Sequence, residues 1–179
     1  MTEKQQHAIE TIIAKLPEGL RDAYREAGEY AVSLGYKPTL KGAQQQYVAF
    51  NKLFPNKANR TILKIVADIK MATYAMEIRF FANKPPYPPK FRQALDEYDK
   101  MGWAAPCNSC GHCKRQQAYH IKTDDGYRKA AGCISLIHME TLSAEDIPDI
   151  KQAFKNADGF YMEFLTDNAN ISKDYYSGF

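Results

Sequence analysis

The sequence has no long apolar run, no hydrophobic leader and no long run of charge of one sign. No stretch approaches the roughly 20 consecutive apolar residues of a transmembrane helix, which excludes a membrane-spanning protein. The first ten residues are polar, so we expect no secretory signal peptide and a cytoplasmic location. Hydrophobic residues make up 45% and aromatic residues 12%, which excludes a disordered chain and favours one globular domain over 1–179.

Motifs that carry common enzyme chemistry are missing too. The chain has no Gly-rich phosphate loop, no HExxH helix and no GxSxG elbow. Asp96, Glu97 and Asp99 fall on the exposed face of a predicted helix, where carboxylates usually serve only to solvate it. Whether the protein is an enzyme therefore stays open.

Helix and strand patterns follow one another along the chain and predict an α+β fold. Thr2 is suited to cap a first helix to about Leu16, which Pro17 ends, and Gly35 ends a second helix. Later patterns predict strands over 47–54, 61–69 (buried on both faces), 73–81, 117–122 and 127–139, and helices over 91–101 and 143–156, with a last apolar segment over 160–165. We expect an antiparallel sheet of five or six strands, with helices packed on one face and an inserted Cys-rich metal loop.

The chemistry-bearing feature is a cluster of cysteines. Cys107, Cys110, Cys113 and Cys133 lie within 27 residues, and in a reducing compartment clustered thiols more often bind metal than form disulfides. Gly111 directly after Cys110 resembles a zinc knuckle, in which backbone N–H groups point at the sulfurs. Four thiolates make a closed tetrahedral zinc site, so the interpretation is a structural zinc in a loop and hairpin at about 104–139.

Other ligands for this cluster stay open. Three cysteines at two-residue intervals and a distant fourth also resemble a single-cluster ferredoxin, which implies an iron–sulfur cluster. Such loops usually place proline after the distant cysteine, whereas Ile134 follows Cys133, and this favours zinc. His112 or His120 is a possible substitute ligand. A cysteine that does not bind the metal is available as a reactive thiolate, and the fourth metal position is then open for catalysis.

Charge is unevenly distributed along the chain. Residues 37–129 carry 17 basic and 7 acidic side chains, whereas the two flanking segments carry net charges of −2 and −5. Either the acidic ends neutralise the basic middle, or the middle meets an anionic partner such as nucleic acid through Lys114, Arg115, Lys122, Arg128 and Lys129. The leading hypothesis is a metal-stabilised domain that binds an unknown small molecule or protein, with a redox or metal-dependent enzyme and a nucleic-acid-binding module as alternatives.

The proline-rich segment 84–90 has two interpretations. It contains four prolines in five residues, Pro85, Pro86, Pro88 and Pro89. Such a segment either recruits a proline-binding domain or forms a stiff surface connection, and we interpret it as a connection.

Overall fold

The computed structural model describes residues 1–55, 59–78, 119–123, 126–130, 137–140 and 142–166. Three helices, a short 3₁₀ turn and seven strands lie in this part of the chain. They are α1 (Glu3–Ile13), α2 (Glu18–Ser33), β1 (Lys37–Lys41), β2 (Tyr47–Leu53), β3 (Asn59–Asp68), β4 (Thr73–Ile78), β5 (Tyr119–Thr123), β6 (Gly126–Ala130), β7 (Ile137–Glu140), the 3₁₀ turn Ala144–Asp146 and α3 (Ile147–Thr166). None of the helices in these ranges is long and apolar enough to cross a membrane.

The first two helices are present as predicted because their local signals are strong, although α1 ends at Ile13 and not at about Leu16. Thr2 Oγ1 accepts a hydrogen bond from Gln5 N at 3.3 Å, and Gln5 Oε1 accepts one from Thr2 N at 2.8 Å, so the two residues form a capping box. Pro17 separates the helices, and Gly35 ends α2 with a φ of +90°, which glycine adopts without strain.

Strands β1 to β4 form an antiparallel meander, and β7 pairs with β4 at the far side of it. The α+β class and the antiparallel sheet are confirmed. The predicted strand total and the Cys-rich loop depend on residues outside the described ones. β1 was missed by sequence reasoning, since its Lys-Pro-Thr-Leu-Lys sequence is polar, exposed at alternate positions and interrupted by proline.

The core lies between this sheet and the helices. Inward-facing strand residues such as Phe50 and Ile65 pack in one cluster with Ile12, Ala27 and Phe154 from the three helices. Helices α1 and α2 both contact β1, β2 and β3, and α3 packs on α2 and β3. Burying these apolar side chains is the main favourable term for folding.

The sequence predicts that β3 is buried on both faces, and the structure shows that it is not. The register with β2 skips Ile62, so this residue is the extra one of a β-bulge. Ile62 and its neighbour Leu63 are both buried, whereas Lys64 and Val66 on the outer face are only half-buried. The bulge therefore makes an alternating strand look like a continuous apolar run.

Two other predictions about the C-terminal part are wrong in their extent. Residues 127–139 do not form one strand of a single sheet, because β6 pairs with β5 whereas β7 pairs with β4 in the larger sheet. The last helix does not end near residue 156: it continues through Gly159 to Thr166 and includes the segment 160–165. Its first residue is Ile147, because the predicted start at Ser143 is occupied by the 3₁₀ turn Ala144–Asp146, where Ser143 N donates to Asp146 Oδ2 at 2.7 Å.

Candidate metal centre and binding surface

The predicted metal ligands lie almost entirely outside the described residues. Cys107, Cys110, Cys113, Cys133 and His112 belong to segments that the structure does not describe, and so do the proline-rich segment 84–90 and the predicted helix over 91–101. His120 lies in β5, opposite Lys129. Among the residues that are described, no group of three or more His, Cys, Asp or Glu side chains is able to hold a metal ion.

The hairpin predicted next to the cysteines is confirmed. β5 and β6 pair antiparallel from Thr123–Gly126 at the turn to Tyr119–Ala130 at the open end. Residues directly opposite each other in such a ladder have Cα atoms about 5 Å apart. The chain therefore enters and leaves the hairpin at one place, with Cys113 before Tyr119 and Cys133 after Ala130.

The segment that carries the cysteines also leaves and rejoins the main sheet at one place. Ile78, the last described residue of β4, is paired with Ile137, the first residue of β7. Segment 79–136 therefore starts and ends on neighbouring strands. This geometry is that of an insertion into a β4–β7 connection.

The register divides the hairpin into two chemically different sets of positions. Opposite residues share a face and successive residues alternate between faces. One face carries positions His120, Lys122, Tyr127 and Lys129, and the other carries positions Tyr119, Ile121, Arg128 and Ala130. The first set is basic and aromatic, whereas the second is mainly apolar.

Comparisons with known proteins give no family. The chain matches no protein-family model, no curated protein and no solved structure. The site must therefore be interpreted from its own residues.

The outer face of the main sheet carries a half-buried polar group. Lys64 Nζ lies 2.6 Å from Glu77 Oε2 across β3 and β4, and 5.5 Å from the ring centroid of Tyr47 on β2. Ala49 and Ala75 on the same face are buried and do not belong to the cluster under the helices. The ammonium of Lys64 is already paired with the carboxylate of Glu77. This face of the sheet is therefore a weaker candidate for an anion site.

A second lysine lies on the inner side of the sheet, where sequence reasoning missed it. Lys52 Nζ donates to Leu34 O at 2.8 Å and forms a 2.7 Å ion pair with Asp158 Oδ1 on α3. The same ammonium lies over the rings of Tyr36 and Phe54, at 5.3 and 5.2 Å from their centroids. A signal was present in the sequence, because Lys52 continues the inward alternation of Val48 and Phe50.

The helices carry their own ion pairs. Arg25 on α2 donates from Nε to Glu10 Oε1 on α1 at 2.7 Å and also pairs with Asp22. The hydrogen bond from Arg25 lowers the pKa of Glu10 below its ordinary value and raises the pKa of Arg25. Lys151 on α3 pairs with Glu26 on α2 at 2.6 Å.

These ion pairs show how the uneven charge is distributed in space. Among the residues that the structure describes, Glu10, Asp22 and Glu26 pair with cations of the helices themselves. Lys64 pairs with Glu77 inside the basic middle segment. Only the Lys52–Asp158 pair, again within the described ranges, joins the basic middle to an acidic end.

Proposed function

We propose that this chain is a cytoplasmic binding domain in which one structural zinc ion, held by four cysteines, stabilises the insertion 79–136. The observation that carries the proposal is the pairing of Tyr119 with Ala130 at the open end of the hairpin. Five residues lie between Cys113 and Tyr119, and two lie between Ala130 and Cys133. At about 3.3–3.6 Å per extended residue, both cysteines can reach a common ion from this point.

The hairpin itself supports a need for such an ion. An isolated two-stranded hairpin is marginally stable in water, and in the described part of the chain β5 and β6 pair only with each other. Zinc binding to four thiolates supplies folding free energy directly. Cys107, Cys110, Cys113 and Cys133 are the proposed ligands, and Cys107 and Cys110 complete the knuckle.

A binding role, rather than catalysis, is supported by the composition of the chain and by its charge. Four thiolates would close the metal to substrate, and the sequence contains none of the catalytic motifs considered above. Residues 37–129 carry 17 basic and 7 acidic side chains, and this excess of positive charge favours a partner that carries negative charge.

The test is metal analysis of protein purified without oxygen, together with its visible absorption spectrum. We expect one zinc per chain and no colour. Iron with sulfide and a brown colour would show that the cysteines hold an iron–sulfur cluster in place of zinc. Absence of any metal would refute the proposal.

Ligand variants sharpen this test. Cys110→Ser and Cys133→Ser should each lose the zinc and cost several kcal/mol of stability in the insertion, on the scale of metal-coupled folding. Amide hydrogen exchange should show lost protection in β5 and β6 with little change in α1. Ser109→Ala is the matched control within the knuckle and should keep the zinc, and His112→Ala should keep it unless that histidine is a ligand.

A further inference from the structure

The β5–β6 hairpin presents two unlike faces, and only one of them has the composition of a packing surface. The face with positions Tyr119, Ile121, Arg128 and Ala130 is mainly apolar, with one cation among its four positions. The opposite face alternates basic and aromatic residues, because His120 is paired with Lys129 and Tyr127 is paired with Lys122. No carboxylate occurs in either strand, and the nearest ones along the sequence, Asp124 and Asp125, come between the two strands.

This arrangement fits one class of ligand. Single-stranded nucleic acids are bound where cations follow the phosphate backbone and aromatic side chains offer a surface on which bases stack. Each aromatic position of the face has a lysine directly opposite it in the other strand. A folded acidic protein would use the two lysines but has no need of the aromatic positions between them.

The charge distribution of the rest of the molecule points the same way. Four described carboxylates are engaged in ion pairs: Glu10 and Asp22 with Arg25, Glu26 with Lys151, and Asp158 with Lys52. These four carboxylates are therefore already paired with cations outside the hairpin. Because neither strand of the hairpin contains a carboxylate, its cations favour an anionic ligand.

We propose that the face formed by His120, Lys122, Tyr127 and Lys129 binds single-stranded nucleic acid, with the lysines at phosphates and Tyr127 stacked on a base. The inference rests on the proposed zinc-stabilised binding function and names its ligand class. It also assigns Arg128, which has the same charge and lies in the same strand as Lys129, to the face that does not bind.

The experiment measures binding of the full-length protein to a fluorescent oligothymidylate or oligouridylate of about 15 nucleotides by anisotropy, over a range of salt concentrations. Lys122→Ala and Lys129→Ala should each weaken binding and flatten the slope of log K against log salt by about 0.7, the value of one phosphate contact. Arg128→Ala, which removes the same charge from the opposite face, should change neither quantity. Tyr127→Leu should weaken binding about 5- to 150-fold, whereas Tyr127→Phe should keep it.

Three outcomes would overturn the inference. They are no binding at about 50 mM salt, an Arg128→Ala effect equal to that of Lys129→Ala, and equally tight binding of polyglutamate that depends on the same lysines. The last outcome would make an acidic polypeptide the ligand. Zinc content is measured on the same samples, so zinc-loaded protein that fails to bind refutes the ligand class alone, and zinc-free protein refutes the proposed metal site.

Discussion

Replacing Lys52 by methionine tests the half-buried network that joins β2 to α3. The side chains of Lys52 and Asp158 are 20% and 15% exposed. Removing one partner of a buried ion pair costs about 3–5 kcal/mol, because the other charge is left without compensation. Water reaches part of this pair, so we expect Lys52→Met to cost about 2–3 kcal/mol. The variant keeps the apolar stem but loses the hydrogen bond to Leu34 O.

Urea unfolding of both proteins measures this cost, provided that the slope with denaturant is unchanged. In a chain of this size, the loss corresponds to a melting temperature lower by about 4–10 °C. Lys151→Met is the matched control, since Lys151 also lies over an aromatic ring, 5.5 Å from the centroid of Tyr30, and pairs with a carboxylate at 2.6 Å. Its partner Glu26 is 52% exposed, so the expected cost is about 0–1 kcal/mol.

Equal costs for the two lysines would refute the argument that burial sets the strength of the Lys52 pair. A double-mutant cycle with Asp158→Asn isolates the pairwise part of the effect. The coupling energy should account for most of the single-mutant cost, and a value near zero would place that cost in the contacts of the lysine with Tyr36 and Phe54.

Further predictions concern the helices. Glu10→Gln should destabilise the protein at neutral pH, because the lowered pKa of Glu10 makes the contribution of its carboxylate to stability complete above the ordinary value of 4.5. That contribution should disappear as the pH falls through the lowered pKa, and acid titration of both proteins would reveal the loss. Gly35→Ala should cost about 1 kcal/mol in thermal unfolding, because φ is +90° while the added methyl meets only the Lys52 side chain at 3.6 Å; an unchanged melting temperature would contradict this. Phe154→Ala should cost about 3–5 kcal/mol by urea unfolding, since this side chain is fully buried.

Elements with strong local signals were predictable from the sequence. Helices α1 and α2 have a cap, a proline break and a terminal glycine, and the sequence Asp124-Asp125-Gly126 predicts the antiparallel pairing of β5 with β6. These signals act within a few residues, so no tertiary information is needed to interpret them.

The elements that were missed depend on distant partners. β1 is a polar edge strand that exists because β2 lies beside it, and the continuation of α3 through Gly159 follows a helix turn anchored by buried Phe154 and Ala157. The bulge at Ile62 interrupts the alternation of β3, so its sequence resembles a continuous apolar run. The pairing of Ile137 with Ile78 places β7 in the main sheet, and the local sequence of β7 does not indicate this. The cysteine ligands stay a prediction, because they lie outside the described residues.

The neighbouring positions of Ile78 and Ile137 have a consequence for how such a protein changes over time. A connection that starts and ends on adjacent antiparallel strands can be exchanged for a tight turn or for a different module without altering the register of β1 to β4 or the helix layer. The α+β core is therefore a constant framework with one exchangeable connection, the one between β4 and β7. New recognition properties can be acquired by replacing the segment 79–136, while the residues that stabilise the core remain as they are.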